Sequence, residues 1–184
     1  MINPDVAGRI KLFGLDVDGV LTDNAIFIGS VNGERVELKR FDIQDGLGLV
    51  VLRHSGIKVV WLSGRESKAT SLRAAELKIE EVLQIDGAAK LPAMADLMKR
   101  LNVTWEEIAF VGDDLADLPI LRRCGLPIAV ANAVPEVLEA AVHVTRLPGG
   151  QGAVREAIEG ILKARGSWDD AVRGYLRDRG DDAA

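Results

Sequence analysis

Residues 12–23 read LFGLDVDGVLTD, an apolar run that ends in two carboxylates one residue apart, Asp16 and Asp18. A short apolar run of this kind is typical of a strand buried inside a parallel sheet. Two negative charges at the end of a buried strand are unfavourable unless a cation or a phosphate-binding environment compensates them. The stretch therefore predicts a core strand that leads directly into a charged site.

The composition limits the class of protein. With 184 residues, of which 48% are hydrophobic, the chain is long enough for one domain with an apolar core. Its 28 acidic and 23 basic residues give a net charge of −5, which argues against nucleic acid as a partner. Cys124 is the only cysteine, and the sequence contains no signal-like N-terminus and no membrane-spanning run. We expect a soluble, cytoplasmic protein without a membrane partner.

Short apolar runs alternate with helical patterns along the chain, which is typical of parallel strands joined by crossover helices. The predicted strands are residues 10–15, 58–62, 81–84, 108–111, 127–130 and 143–145. Apolar residues at helical spacing predict helices at 47–54, 67–77 and 90–101. The pattern predicts a doubly wound, Rossmann-like α/β fold with a parallel sheet.

One segment interrupts the alternation directly after the first strand. Residues 25–41 read AIFIGSVNGERVELKRF, and Asn32-Gly33 between two β-like arms is a strong β-hairpin signal. The connections between the charged strand ends are too short for a cap domain. We therefore predict one domain over residues 1–165, with a hairpin insertion at 25–41, and a charged C-terminal tail at 166–184.

Ligands of open α/β sheets bind beyond the carboxyl ends of the strands, so the residues after each strand are candidates for a site. Polar or small residues at or near these ends are Asp16, Asp18, Ser63, Gly64, Arg65, Lys90, Asp113 and Asp114. Carboxylates are hard oxygen ligands, which suit Mg²⁺ better than a metal that prefers nitrogen or sulfur. The spacing excludes an EF-hand loop, and the chain contains no P-loop motif.

The ordered motifs DVDGVLTD, LSGR, a following lysine and GDDLADLP resemble those of the haloacid dehalogenase superfamily of phosphotransferases. The segments NGERVELKRFDIQDGLG and GGQGAVRE extend the similarity to capless members that act on sugar-acid phosphates. The resemblance implies a Mg²⁺-dependent phosphatase that hydrolyses 3-deoxy-D-manno-octulosonate 8-phosphate, a reaction of lipopolysaccharide biosynthesis, through an aspartyl-phosphate.

The same resemblance implies roles for the acidic residues. Asp16 is expected to be the nucleophile, and Asp18 the general acid and base. Asp16, Asp113 and the backbone carbonyl of Asp18 are expected to bind Mg²⁺, with Asp114 orienting the group.

Other residues are implied in binding the phosphate and the sugar. Ser63 is expected to hold phosphoryl oxygens together with neighbouring backbone amides, and Lys90 to offset the charge that develops on them. The expected substrate-binding residues are Asp18, Asp42, Gln44, Asp45, Gly46, Gly64, Arg65, Arg73 and Lys90.

Alternatives to this function and its assembly remain open at the level of sequence. The substrate could be another sugar-acid phosphate, such as 2-keto-3-deoxynononate 9-phosphate, or a broad range of small phosphorylated metabolites. The domain could also be catalytically idle and serve assembly. By resemblance we expect a homotetramer joined through the hairpin, because a free hairpin would expose apolar residues and unpaired edges. The tail, with Trp168 and Tyr175, is expected to cover a neighbouring subunit's site.

Overall fold

The computed structural model describes residues 1–181 and contains a parallel sheet flanked by helices. The strands are β1 (Leu12–Leu15), β2 (Phe27–Val31), β3 (Glu34–Leu38), β4 (Lys58–Ser63), β5 (Glu81–Gln84), β6 (Ile108–Gly112), β7 (Leu126–Ala129) and β8 (His143–Val144). The α-helices are α1 (Pro4–Arg9), α2 (Ile43–Arg53), α3 (Lys68–Glu76), α4 (Lys90–Leu101), α5 (Leu118–Leu121), α6 (Pro135–Ala140), α7 (Ala153–Arg165) and α8 (Trp168–Arg177).

Six strands form the main sheet in the order β5-β4-β1-β6-β7-β8, and every neighbouring pair is parallel. The central strands are buried, and Phe13, Trp61 and Phe110 are among the largest side chains without solvent exposure. Burial of this apolar area is the main stabilising contribution to the domain. The doubly wound α/β fold predicted from the alternating pattern is confirmed.

Several boundaries differ from the prediction for local reasons. The first strand begins at Leu12 rather than at residue 10, because the N–H of Ile10 still bonds the carbonyl of Ala7 at the end of α1. Helix α2 begins at Ile43 rather than at residue 47, because the Asp42 side chain caps it and accepts hydrogen bonds from two backbone N–H groups.

The predicted hairpin is present and forms a separate two-stranded antiparallel sheet of β2 and β3. Its turn residues Asn32 and Gly33 have φ angles of 53° and 80°, as a two-residue hairpin turn requires. Phe27, Ile28 and Leu38 are each more than 60% exposed on this sheet. The hairpin thus extends from the domain with an apolar surface open to contact.

The insertion and short crossovers leave no cap domain within residues 1–181. Among the helices in that range, none combines the length and apolar character needed to cross a membrane.

Helix α8, in the predicted tail, packs against α2 and α7 of its own chain. Ala171 is buried, and a Cβ atom at Gly174 would lie 2.8 Å from Nδ1 of His54. The guanidinium carbon of Arg155 lies 5.0 Å from the centroid of the Trp168 ring. Residues 182–184 of the tail lie outside the described residues. The role of the tail at a neighbouring site stays a prediction.

We expect truncation after Arg165 to lower the melting temperature by at least about 5 °C, because it exposes the apolar surface that α8 covers. A chain that ends at Asp181 is the matched control and should melt like the full chain. Thermal unfolding by circular dichroism measures both. An unchanged melting temperature with an altered kcat or KM would contradict a packing role and favour a role of the tail at a site.

Candidate active site

The carboxyl ends of β1, β4 and β6 border an open cleft of about 400 Å³. Seven residues that the sequence singled out line it: Asp16, Asp18, Gly64, Arg65, Lys90, Asp113 and Asp114. They meet because parallel neighbouring strands bring their carboxyl ends to one edge of the sheet. The cleft therefore unites the charged ends of three strands with the first residue of α4.

The acidic centre of the cleft consists of Asp16, Asp113 and Asp117. Each offers a carboxylate oxygen, and the three atoms lie within 4.8 Å of one another. Nζ of Lys90 is 2.8 Å from Oδ1 of Asp16 and 2.8 Å from Oδ1 of Asp117. Oδ1 of Asp113 is buried and has no hydrogen-bond partner among the described residues. Two of the three buried carboxylates thus contact one ammonium group, and Asp113 has no ion pair among the described residues.

This crowding changes the proton affinities of the centre. Burial, reinforced by the charges of Asp16 and Asp117, raises the pKa of Asp113 to about 8. Burial and the charge of Asp117 raise the pKa of Asp16 to about 7, although Lys90 opposes the shift. Burial lowers the pKa of Lys90, but the two contacting carboxylates outweigh it and the net direction is upward. A divalent cation would favour the ionised carboxylates.

Glycine is required at position 19 of the DVDG motif for two reasons. Its φ angle is 95°, in the left-handed region, and a Cβ atom there would lie 2.0 Å from Oδ2 of Asp113. Any side chain at this position would therefore displace Asp113 from the centre.

Asp117 was not among the predicted site residues. Its Oδ2 accepts a hydrogen bond from the backbone N–H of Asp113 at 3.1 Å and a longer one, at 3.5 Å, from that of Asp114. The Asp114 carboxylate instead accepts from the N–H of Leu115 and caps a short 3₁₀ turn. The contacts expected to orient the cluster therefore come from Asp117. The feature of the sequence that could have identified Asp117 is its position four residues after Asp113 in the GDDLADLP motif.

A second group of charges surrounds Asp18. Nζ of Lys39 lies 2.7 Å from Oδ1 of Asp18, and Nη1 of Arg65 lies 3.7 Å from its Oδ2. Arg65 binds Glu37 through both terminal nitrogens, at 3.1 and 2.5 Å. These hydrogen bonds lower the pKa of Glu37 to about 2, with a further contribution from the Ser67 hydroxyl. Neither Glu37 nor Lys39 was predicted, since both belong to the hairpin segment.

Ser63 ends β4 with its side chain buried beside the cleft. Its hydroxyl donates to the backbone carbonyl of Arg65 at 3.0 Å and accepts from the N–H of the same residue at 3.3 Å. These bonds shape the Ser63-Gly64-Arg65 loop, of which Gly64 and Arg65 line the cleft.

The predicted substrate residues at the start of α2 lie outside the lining of this cleft. Asp42 caps the helix, and Gln44 is exposed. Asp45 is buried and accepts hydrogen bonds from the N–H groups of Gly152 and Arg155, at 3.2 and 2.8 Å, where α7 begins. Burial raises the pKa of Asp45 to about 6, although these two hydrogen bonds favour its ionised form.

Arg73 on α3 packs against the same turn. A Cβ atom at Gly46 would lie 2.4 Å from Nη2 of Arg73, so the absence of a side chain admits the guanidinium. Nη1 of Arg73 pairs with Glu76 at 2.8 Å, and Glu76 is largely exposed. The structure thus groups Arg73 with the α2 start and not with Arg65.

Comparisons with known proteins agree with this geometry. Residues 82–158 match the haloacid dehalogenase-like hydrolase family. The chain is 44% identical over 165 residues to 3-deoxy-D-manno-octulosonate 8-phosphate phosphatase of Escherichia coli K12, covering 90% of this chain and 86% of that protein.

Two solved structures are similar in fold and sequence. The phosphatase of the same name from Moraxella catarrhalis, in complex with magnesium, phosphate and KDO, is 40% identical with a TM-score of 0.87, over 94% of this chain and 97% of that one. The cobalt-bound phosphatase from Haemophilus influenzae is 40% identical with a TM-score of 0.82, over 93% and 99%. The chain therefore belongs to the haloacid dehalogenase-like hydrolases, in the family of the 3-deoxy-D-manno-octulosonate 8-phosphate phosphatases.

Proposed function

We propose that this protein hydrolyses 3-deoxy-D-manno-octulosonate 8-phosphate to 3-deoxy-D-manno-octulosonate and phosphate, with Mg²⁺ as cofactor, in lipopolysaccharide biosynthesis. The observation that carries the proposal is the contact of Asp16 with Lys90, next to the unpaired carboxylate oxygen of Asp113. This arrangement combines a nucleophile, a cation for phosphoryl oxygens and a metal ligand in one cleft. The choice of substrate is supported by the family to which the chain belongs.

The residues present fit a magnesium ion. The donors in the centre are all oxygens, and the buried Oδ1 of Asp113 has no partner among the described residues. Asp16, Asp113 and the backbone carbonyl of Asp18 would hold the ion, with Asp117 fixing Asp113 and Lys90. When bound, the ion screens the charge of Asp16 from the incoming phosphate and polarises the phosphoryl group.

The chain's own residues account for two chemical steps. In the first, a carboxylate oxygen of Asp16 attacks phosphorus, the bond to the sugar oxygen breaks, and Asp18 gives its proton to that oxygen. In the second, water attacks the phosphorus of the aspartyl-phosphate and gives a proton to Asp18. The bond to Asp16 breaks, which releases phosphate and restores the nucleophile. Lys90 and the Gly64 amide hold the phosphoryl oxygens during both transfers, together with the Ser63 hydroxyl once its proton turns from the Arg65 carbonyl to the phosphoryl group.

The other end of the substrate carries a carboxylate and hydroxyl groups. We assign its binding to Arg73 and Arg65, together with the segment that contains Asp42, Gln44, Asp45 and Gly46. Because the Asp45 carboxylate is already bonded to the start of α7, its contribution is to hold this segment in place.

We further propose that the active protein is a cytoplasmic homotetramer joined through the hairpin. The exposed apolar residues of β2 and β3, among them Phe27 and Ile28, support this assembly, because pairing would remove them from water. The single cysteine, Cys124, is buried and unpaired, which fits a reducing compartment.

The function is tested by Mg²⁺-dependent phosphate release from a panel of phosphorylated sugar acids. We expect a preference of at least about a hundredfold in kcat/KM for the eight-carbon substrate, and loss of activity on chelation.

Asp16→Asn should abolish turnover while the fold remains, because an amide does not attack phosphorus. Asp96→Asn on the exposed face of α4 is the matched control.

A flat profile across the panel would favour a phosphatase of broad substrate range. A preference for the nine-carbon 2-keto-3-deoxynononate 9-phosphate would reassign the substrate. An inactive wild type that is folded would support the idle assembly domain, and a near-normal kcat of Asp16→Asn would end the assignment of the nucleophile.

Arg73→Ala and Arg65→Ala should raise KM for the sugar-acid phosphate more than for p-nitrophenyl phosphate, which lacks a carboxylate. A lost charge-assisted pair costs about 1.5 to 3 kcal/mol, or roughly 10- to 150-fold in affinity. Arg100→Ala, at an exposed pair with Glu81, is the control. Equal losses for both substrates would assign the arginines to the phosphate or to the fold.

Phe27→Asp should dissociate the tetramer, because it places a charge in the proposed hairpin contact. Light scattering at micromolar concentration measures the mass, and Arg35→Gln on the same hairpin is the control. A wild-type monomer with full activity would contradict the proposed assembly.

A further inference from the structure

The base of the hairpin carries two charged side chains that contact residues of the cleft lining. Glu37 and Lys39 are alternate residues, which an extended chain directs to the same side. Glu37 binds Arg65, and Lys39 contacts Asp18, whereas Leu38 between them is 61% exposed. The insertion therefore contacts two residues that line the cleft, Asp18 and Arg65, besides forming part of the outer surface.

The Lys39 side chain is completely buried, which is rare for lysine and unfavourable unless the ammonium group is paired. Its Nζ lies 2.7 Å from Oδ1 of Asp18 and donates a hydrogen bond to Oγ1 of Thr70 at 3.1 Å. Thr70 is itself fully buried on α3. The ammonium group is thus held between the loop after β1 and a helix of the domain.

The two cations that line the cleft, Arg65 and Lys90, are already bound to other carboxylates. Both terminal nitrogens of Arg65 bind Glu37, and the nearer of them to Asp18 lies 3.7 Å away. Lys90 lies 2.8 Å from both Asp16 and Asp117. Lys39 is therefore the cation whose closest acidic contact is Asp18.

We propose that Lys39 is a positioning residue, which holds the carboxyl group of Asp18 in one orientation for its two proton transfers. This role rests on the proposed function. A proton-transfer group contributes only when it is within reach of the reacting oxygen, and a fixed side chain avoids the cost of being ordered in the transition state. Thr70 fixes the lysine by a hydrogen bond, and the lysine acts on the Asp18 carboxylate as an ion pair, since neither oxygen of that carboxylate has a hydrogen-bond partner among the described residues.

The test compares the effect of Lys39→Met on kcat/KM for two substrates with different leaving groups. A sugar alkoxide leaves poorly and needs the proton of Asp18, whereas p-nitrophenolate leaves readily without it. The ratio kcat/KM reports the first phosphoryl transfer, where this difference arises. General acid catalysis contributes about 10² to 10⁴-fold. We expect Lys39→Met to lower kcat/KM at least about thirtyfold on the sugar-acid phosphate and less than about threefold on p-nitrophenyl phosphate.

The controls separate positioning from binding and from folding. Lys99→Met, at an exposed site on α4, also removes one positive charge. It should leave kcat/KM unchanged on the sugar-acid phosphate and on p-nitrophenyl phosphate. Lys39→Arg keeps a cation and should restore part of the loss on the sugar-acid phosphate. If Lys39→Met does not fold, Thr70→Val should show the same selective loss at smaller size, since it removes the hydroxyl that holds the ammonium group.

Four outcomes would overturn the role, and three of them are changes in the kinetics of Lys39→Met. Equal loss on both substrates would show a general disturbance, and a raised KM with unchanged kcat would show that Lys39 binds substrate. A faster Lys39→Met enzyme would show that the contact restrains Asp18. Phosphate release by the wild type separates the two proposals, because its absence ends the proposed function, whereas its presence with an unaffected variant ends only the role of Lys39.

Discussion

The structure depends on charge compensation at the carboxyl edge of the sheet. Strands β1 and β6 pair in parallel with Leu15 opposite Val111, and the N–H of Asp16 bonds the carbonyl of Val111. This register places Asp16 close to Asp113, where both are buried. Lys90 supplies one positive charge for three carboxylates. When all are ionised, two negative charges remain, so a divalent cation completes the centre of the fold as well as its chemistry.

The charges around Asp18 are balanced instead. When Asp18 and Glu37 are both ionised, they balance Lys39 and Arg65, so this second group has no excess negative charge for a metal. The difference in charge agrees with the proposed roles, in which the first group holds the cation and Asp18 transfers protons. The charge of Arg65 is therefore already paired with Glu37 before any substrate binds. Arg73 is paired with an exposed glutamate, a weak contact that a substrate carboxylate can replace.

The sequence predicted what local patterns encode. Apolar runs placed all six strands of the main sheet, Asn32-Gly33 placed the hairpin turn, and the order of motifs placed the charged strand ends in one cleft. The contacts that escaped prediction join distant residues. Lys90 and Asp117 are 27 positions apart, and Asp45 and Gly152 are 107 apart. Such pairs depend on how helices cross the sheet, which no short motif specifies.

The hairpin shows why a capless enzyme keeps a long insertion after its first strand. Its strands present apolar side chains to solvent, while Glu37 and Lys39 at its base contact Arg65 and Asp18, which line the cleft. Because Lys39 directly follows β3, which pairs with β2, a contact that orders the hairpin also restricts the position of Lys39. Ordering the segment in advance reduces the entropy lost when Asp18 is fixed for reaction. The proposed assembly through the hairpin and the proposed placement of Asp18 are therefore linked by the backbone that joins Phe27 to Lys39.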